Sequence, residues 1–226
     1  MKILVIDVGG TGVKLLVTGK RKQLRFDSGP LMTAKAMVAG VKEATTKAGW
    51  TYDVISMGYP GPVLHDRPLI DPFNLAPGWV KFDFRKAFGC PVKIINDAAM
   101  QALGSYRNGR MLFLGLGTGL GSALVVESVV EPMELAHLPF KKGRTYEDFV
   151  GIKGLERLGK KKWRKYVMEV VQQLRAATQA EYVVLGGGNS RLLKKLPAYA
   201  RVGDNANAFR GGFRLWQKKK AKEICY

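Results

Sequence analysis

The chain writes one short passage twice: an apolar run, a turn of glycine and threonine, and a second apolar run. The first copy is residues 2–7, Gly9-Gly10-Thr11-Gly12 and residues 13–17. The second, about 108 residues on, is residues 111–116, Gly117-Thr118-Gly119-Leu120-Gly121 and residues 122–126. A repeated supersecondary unit predicts two domains of like architecture facing each other, here over 1–105 and 106–226. With 226 residues, the chain is long enough to give each its own small core.

The stretches between the copies alternate in kind. Residues 33–47 carry Ala, Lys and Val at helical spacing and close at Gly49. Residues 54–58 read as a strand running into the loop Tyr59-Pro60-Gly61-Pro62, and residues 66–79, with three prolines, read as irregular. Residues 92–95 form another strand, followed by Asn96-Asp97 and a helical run over 98–103. Later come helices over 146–158 and 163–178, a strand at 182–185, and Gly186-Gly187-Gly188-Asn189 opening a helix. A final helix over 205–216 is expected to cross back to the first half. Strands alternating with helices give an α/β fold, and the hairpins make its sheets mixed.

Each of three glycine-rich turns thus follows an apolar strand. Glycine lets backbone N–H groups converge on a phosphate with no Cβ in the way, although each turn alone also suits a plain hairpin. None matches the P-loop or the dinucleotide fingerprint, so a phosphate site here is of another kind. Asp97, between a strand and a helix, suits a general base in phosphoryl transfer; Asn-Asp before a helix equally suits an N-cap. Asp7, ending the first strand, is either a metal or water ligand or a turn carboxylate. Glu134-Leu135-Ala136-His137 sets a carboxylate three residues before one of only two histidines, and a buried His137 would orient a hydroxyl-rich ligand.

Charge sets further bounds. Lys and Arg number 37 against 18 Asp and Glu, a net charge of +19. Residues 1–140 hold 16 basic and 11 acidic side chains, whereas residues 141–226 hold 21 and 7. The excess gathers at Lys160-Lys161-Lys162, Arg164-Lys165 and Lys218-Lys219-Lys220. Such a field attracts polyanions of any kind, or is simply a solvated surface. No apolar run reaches the roughly 20 residues of a membrane span, and the N-terminus turns polar too soon for a signal peptide. Two cysteines, Cys90 and Cys225, allow neither a disulfide scaffold nor a four-cysteine zinc site. A cytoplasmic protein with no membrane partner is expected.

Taken together, these segments resemble the ROK sugar kinases of the actin-like ATPase superfamily. Asp7-Val8-Gly9-Gly10-Thr11-Gly12-Val13-Lys14 resembles their first phosphate motif, and Asn96-Asp97-Ala98 their catalytic segment. Leu116-Gly117-Thr118-Gly119-Leu120-Gly121-Ser122-Ala123 resembles the second phosphate motif, Glu134-Leu135-Ala136-His137 the sugar-binding stretch, and Val184-Leu185-Gly186-Gly187-Gly188-Asn189 the adenosine motif. The chain departs from most members in having no cysteine-rich zinc loop after His137. That departure, the short length, Trp79 after the Asn74 segment and Lys162-Trp163 bring it closer to polyphosphate glucokinases, so no zinc is expected.

The resemblance implies two actin-like (ribonuclease H-like) domains with the sugar in the cleft between them. It implies a kinase acting on the 6-hydroxyl of glucose or a close hexose, with Asp97 as base. It places Asn74, Asn96, Asp97, Glu134, His137 and Glu147 on the sugar. Gly9, Gly10, Thr11, Lys14, Gly117, Thr118, Gly119, Gly186, Gly187 and Gly188 fall on the donor, and Asp7 on Mg²⁺. It also favours a homodimer. The donor is expected to be polyphosphate, with ATP as a second, because the basic excess is more than ATP requires and a long polyanion gains affinity by releasing counterions. The competing reading is a regulator or polyanion binder. ROK repressors carry an extra N-terminal helix-turn-helix domain, whereas this chain reaches its first phosphate motif at residue 7, so no specific nucleic acid is expected.

Overall fold

The computed structural model describes residues 1–204 and 206–217. The Lys218-Lys219-Lys220 run, Cys225 and the first residue of the expected final helix lie outside the described residues. Two five-stranded mixed sheets organise the chain. The first has the order β3-β2-β1-β4-β7, built from β1 (Ile3–Gly9), β2 (Gly12–Val17), β3 (Leu24–Phe26), β4 (Val54–Tyr59) and β7 (Val92–Asn96). The second has the order β10-β9-β8-β13-β14, from β8 (Arg110–Leu116), β9 (Leu120–Val126), β10 (Val129–Met133), β13 (Tyr182–Gly186) and β14 (Ala200–Val202). In each, the first three strands in sequence are antiparallel and the last two join in parallel. The repeat read in the sequence is therefore a repeat of topology. Two two-stranded ladders, β5 (Val63–Leu64) with β6 (Arg67–Pro68) and β11 (Pro139–Lys141) with β12 (Arg144–Thr145), decorate the loops.

Strand alternation assigns each sheet two apolar faces. On β1, Leu4, Ile6 and Val8 join the core under α1 (Ala34–Lys47), with Met37, Val38, Val41 and the buried Trp79 and Phe84. Ile3 and Val5 point the other way, against Ala208 and Phe209 of α6 (Asn207–Arg214) and Met100 of α3 (Asp97–Ser105). On β8, Leu112, Leu114 and Leu116 face α5 (Ile152–Thr178), while Met111 and Phe113 face Ala98, Ala99 and Ala102 of α3. α3 thus touches both sheets, which its run of small residues permits. α6 does cross back: Ser56 Oγ donates to Gly212 O at 2.6 Å, and Trp216 Nε1 donates to Ser56 Oγ at 2.9 Å.

The helices depart from expectation where glycine intervenes. The expected helix over 146–158 is α4 (Tyr146–Val150) and then the start of α5, split at Gly151. α5 is itself broken at Gly159, whose φ of 70° and ψ of 158° no helix contains. Trp163, fully buried, donates from Nε1 to Val150 O at 2.9 Å and so ties the second piece of α5 back to the end of α4. The helix expected after Asn189 is a short 3-10 segment, Gly188–Leu192. α2 (Phe84–Phe88), with Asp83 as its N-cap, is too short to leave a periodic signature. Among the described residues, no helix is long and apolar enough to cross a membrane.

Candidate active site

Asp7 continues the β1 stripe that begins with Ile3 and Val5, so period-2 alternation turns its side chain toward the face covered by α3 and α6. It is 8% exposed, and its Oδ2 accepts from Lys14 Nζ at 3.1 Å, Lys14 being its cross-strand partner on β2. Across β1 and β4, Asp7 is in register with Gly58, and a Cβ at Gly58 would stand 3.6 Å from Asp97 Cα. The sheet register thereby brings a second carboxylate to the first.

The local ambiguity at Asn96-Asp97 resolves through the cap. Asn96 is the N-cap of α3: its Oδ1 accepts from Ala99 N at 3.0 Å, and its Nδ2 donates to Gly61 O at 3.2 Å. Asp97 is the first helical residue, and its Oδ1 accepts from the adjacent Ala98 N–H at 2.7 Å. Burial raises its carboxyl pKa most, and the negative charge of Asp7 next. The Ala98 N–H opposes them, Glu134 adds a smaller push, and the balance stands at about 7. A carboxyl so poised can accept a proton near neutral pH.

The glycine turns flank this pair. Gly10-Thr11 is the two-residue hairpin between β1 and β2, with Gly9 opposite Gly12. Ser28 Oγ donates to Gly9 O at 2.6 Å, and Arg25 Nη2 donates to Thr11 O at 3.3 Å. Gly117-Thr118-Gly119 joins β8 to β9, closed by Gly117 N donating to Gly119 O at 3.2 Å. A Cβ at Gly121, just beyond, would stand 2.7 Å from Ala98 Cβ, so the second hairpin lies against the first turn of α3. Of the third turn, Gly186 is packed under Phe113, Gly187 takes a φ of 79° over the Leu116 backbone, and Gly188 is exposed. Asn189 Nδ2 donates to Gly117 O at 3.1 Å, joining the third turn to the second.

The expected sugar residues are placed unevenly. Glu134 is close enough to act on Asp97 through its charge. Asn74 packs its Cβ on Gly10, and together with Pro60, Pro72, Phe73 and Leu75 they line a cavity of about 80 Å³. Glu147, in the first turn of α4, has its Oε2 accepting from Leu120 N at 3.2 Å and touching Gly119, so it stands at the second glycine turn. His137 ends a 3-10 turn (Leu135–His137) and is exposed, so the condition of burial that its orienting role carried is not met. Ser122 pins that turn, accepting from Leu135 N at 3.2 Å and donating to Met133 O at 2.6 Å.

Two bracing residues escaped the sequence reading. Arg25 is the β3 partner of Lys14, so Asp7, Lys14 and Arg25 form one row across three strands. Strand alternation carries the signal for Arg25, but a three-residue strand is too short to show it. Ser28 lies in a loop and leaves none. Among the described residues no three His, Cys, Asp or Glu side chains cluster to hold a metal by themselves. Mg²⁺ needs less: one or two carboxylates complete its shell with waters and substrate phosphates. Asp7, buried at the end of β1 beside Asp97, offers one such carboxylate.

A model of the ROK family matches residues 3–131. The chain belongs to the ROK family. Among solved structures, the inorganic polyphosphate/ATP-glucomannokinase of Arthrobacter sp. strain KM aligns with a TM-score of 0.78 at 21% identity, covering 93% of this chain and 96% of that one. A ROK family glucokinase from Streptomyces griseus, in complex with glucose and AMPPNP, aligns with a TM-score of 0.71 at 16% identity, over 93% and 97%. A ROK family transcriptional regulator, homologous to the E. coli MLC protein, aligns with a TM-score of 0.71 at 14% identity, over 93% and 76%. No curated protein matches the chain by sequence. The fold is the actin-like ATPase fold of the ROK sugar kinases.

Lys14 makes the turn's role measurable. If the hairpin holds a phosphoryl donor, removing the Lys14 charge in Lys14→Met should raise the KM for that donor about tenfold, the scale of one charge-assisted hydrogen bond. The KM for the sugar should stay within about twofold. Steady-state kinetics with each substrate varied in turn would check both numbers.

Proposed function

We propose that this ROK protein is a hexokinase-type phosphotransferase that phosphorylates glucose or a close hexose at the 6-hydroxyl. The observation that carries this reading is Asp97. Its pKa of about 7 and its place between two glycine hairpins suit a base that takes the hydroxyl proton as the phosphoryl group arrives. A purely regulatory role gives a carboxyl of raised pKa beside Asp7 no task. Asn74, Asn96, Glu134, His137 and Glu147 would hold the sugar hydroxyls, Glu147 turning from the Leu120 N–H. The backbone N–H groups of Gly9, Gly10, Thr11, Gly117, Thr118 and Gly119, with Lys14, would cradle the donor, and the Gly186-Gly187-Gly188 turn would receive an adenosine. Mg²⁺, held by Asp7, would neutralise charge on the donor phosphates.

The two sheets would belong to domains of residues 1–105 and 106–226, with α6 strapped back across the boundary and closure excluding water from the donor. A homodimer fits the same reading. Polyphosphate is the proposed donor, with ATP as a second, supported by the net charge of +19 and the likeness to the glucomannokinase. An assay matrix tests the whole: glucose, mannose, fructose and N-acetylated sugars, each with ATP and with polyphosphate. Sugar 6-phosphate should form from glucose with polyphosphate, at a KM that rises steeply between about 50 and 200 mM salt. No transfer to any hexose from either donor would refute the kinase reading, and transfer from ATP alone would refute the donor reading.

A further inference from the structure

A cavity of about 410 Å³ opens between α5 and the segment that follows the third glycine turn. Arg164, Lys165 and Met168 line one wall; Leu193, Lys194 and Lys195 line the other. Four of these six side chains are cationic, and among the described residues none of the four is paired with a carboxylate. Glu169, next to Met168, is engaged by Lys141 instead. Arg164 Nε donates to Leu192 O at 2.6 Å, which fixes the two walls to each other. Met168 and Leu193 supply an apolar floor along which lysine stems can lie while their ammonium heads stand at the rim. A concave surface of one sign over low-dielectric walls focuses its field outward. Lys160 and Lys161, exposed three or four positions before Arg164 and Lys165 on the same helix, extend the field along one face.

The groove is joined to the candidate active site by covalent and hydrogen-bonded structure. The 3-10 segment Gly188–Leu192 begins at the third glycine turn, where Asn189 holds Gly117 of the second, and ends at the groove wall. Five residues of 3-10 helix span about 10 Å. A phosphoanhydride chain held at the glycine turns would have to be longer than this span to reach the groove, so long donors would meet it and short ones would not.

We propose that this groove of Arg164, Lys165, Lys194 and Lys195 is a subsite for the distal phosphates of a polyphosphate donor. The proposal rests on the donor reading above. The site is concave and draws on two distant stretches of chain, residues 164–165 and residues 194–195.

The test replaces Lys165, Lys194 and Lys195 together by Gln and compares donors of different length. For Lys165→Gln/Lys194→Gln/Lys195→Gln the KM for long-chain polyphosphate should rise at least about tenfold, and its salt dependence should flatten. The KM values for tripolyphosphate, ATP and glucose should stay within about twofold of the unsubstituted protein. The charge-preserving Lys→Arg triple should restore the long-chain KM, which a merely structural role for the lysines would not require. If the unsubstituted protein uses polyphosphate and the Gln triple is indistinguishable from it, the groove is wrong while the donor reading stands. An equal rise for short and long donors, or a rise for ATP alone, also overturns it. Transfer from ATP and never from polyphosphate overturns the donor reading and the groove with it.

Discussion

Asp97→Asn is expected to cut turnover by about 10²–10⁴-fold, the range for loss of a general base, while making the protein more stable above neutral pH. Both effects come from one carboxyl. Its pKa lies at about 7 in the folded chain against an ordinary 3.8, so the folded state holds the proton more tightly than the unfolded state does. Stability is untouched where both forms are protonated, below about pH 4. It falls as pH rises from there, and the full cost is reached above about pH 7. About three pKa units correspond to roughly 4 kcal/mol, which the solvent still reaching this half-buried residue reduces to about 2–4 kcal/mol. Asparagine keeps the shape and an acceptor for the Ala98 N–H but cannot ionise. At pH 8 in chelator-containing buffer the variant should melt about 5–10 °C above the parent, and at pH 4 the two should coincide. In the parent, kcat/KM should rise with pH through about 7 as Asp97 loses its proton. Melting curves at the two pH values, with a kinetic pH profile, decide the matter. A variant that keeps its hexokinase activity removes Asp97 from the base role.

The sequence made this site legible in its linear parts and hid its tertiary parts. The strand–turn–strand copies were readable because β1, β2, β8 and β9 are apolar runs punctuated by glycine, and punctuation survives without a fold. β3 and β14 were not, being three-residue edge strands defined by pairing alone. The breaks at Gly151 and Gly159 were marked by their glycines, yet the surrounding helical periodicity obscured them. Asn96-Asp97 could be read as base or cap because either residue can cap. Only the Asn96 to Ala99 bond shows that the cap belongs to Asn96 and not to Asp97. The exposure of His137 and the meeting of Arg164 with Leu192 depend on how distant segments pack, which no local pattern records.

Gly104→Ala should be the most destabilising small substitution in the chain's centre, at about 3 kcal/mol or more, the upper range of overpacking. α3 and α6 cross on glycines: a Cβ at Gly104 would overlap the carbonyl oxygen of Asn207, and one at Gly211 would overlap that of Met100. Both obstacles are backbone, so neither can swing aside as a side chain would. The contact is further fixed by Asn207 Nδ2 donating to Ser105 Oγ at 2.9 Å and by Arg214 Nη1 donating to Tyr106 O at 2.9 Å, where α3 ends and its carbonyls lack helical partners. An added methyl must therefore push the two helices apart or lift α6 from β1, where Gly212 lies against Val5. The melting temperature should fall by about 6–12 °C. Ser105→Ala, which deletes one hydrogen bond without adding volume, should cost only about 1 kcal/mol. Function should follow, because α3 is one rigid rod with Asp97 at its other end, seven residues and about 10 Å away. A displacement near 1 Å there can cost about 10²-fold in rate. Measured well below its melting temperature, Gly104→Ala should thus lose kcat more than it gains in sugar KM. A variant that melts with the parent, or that melts early yet turns over normally, would show that the helix crossing does not set the position of Asp97.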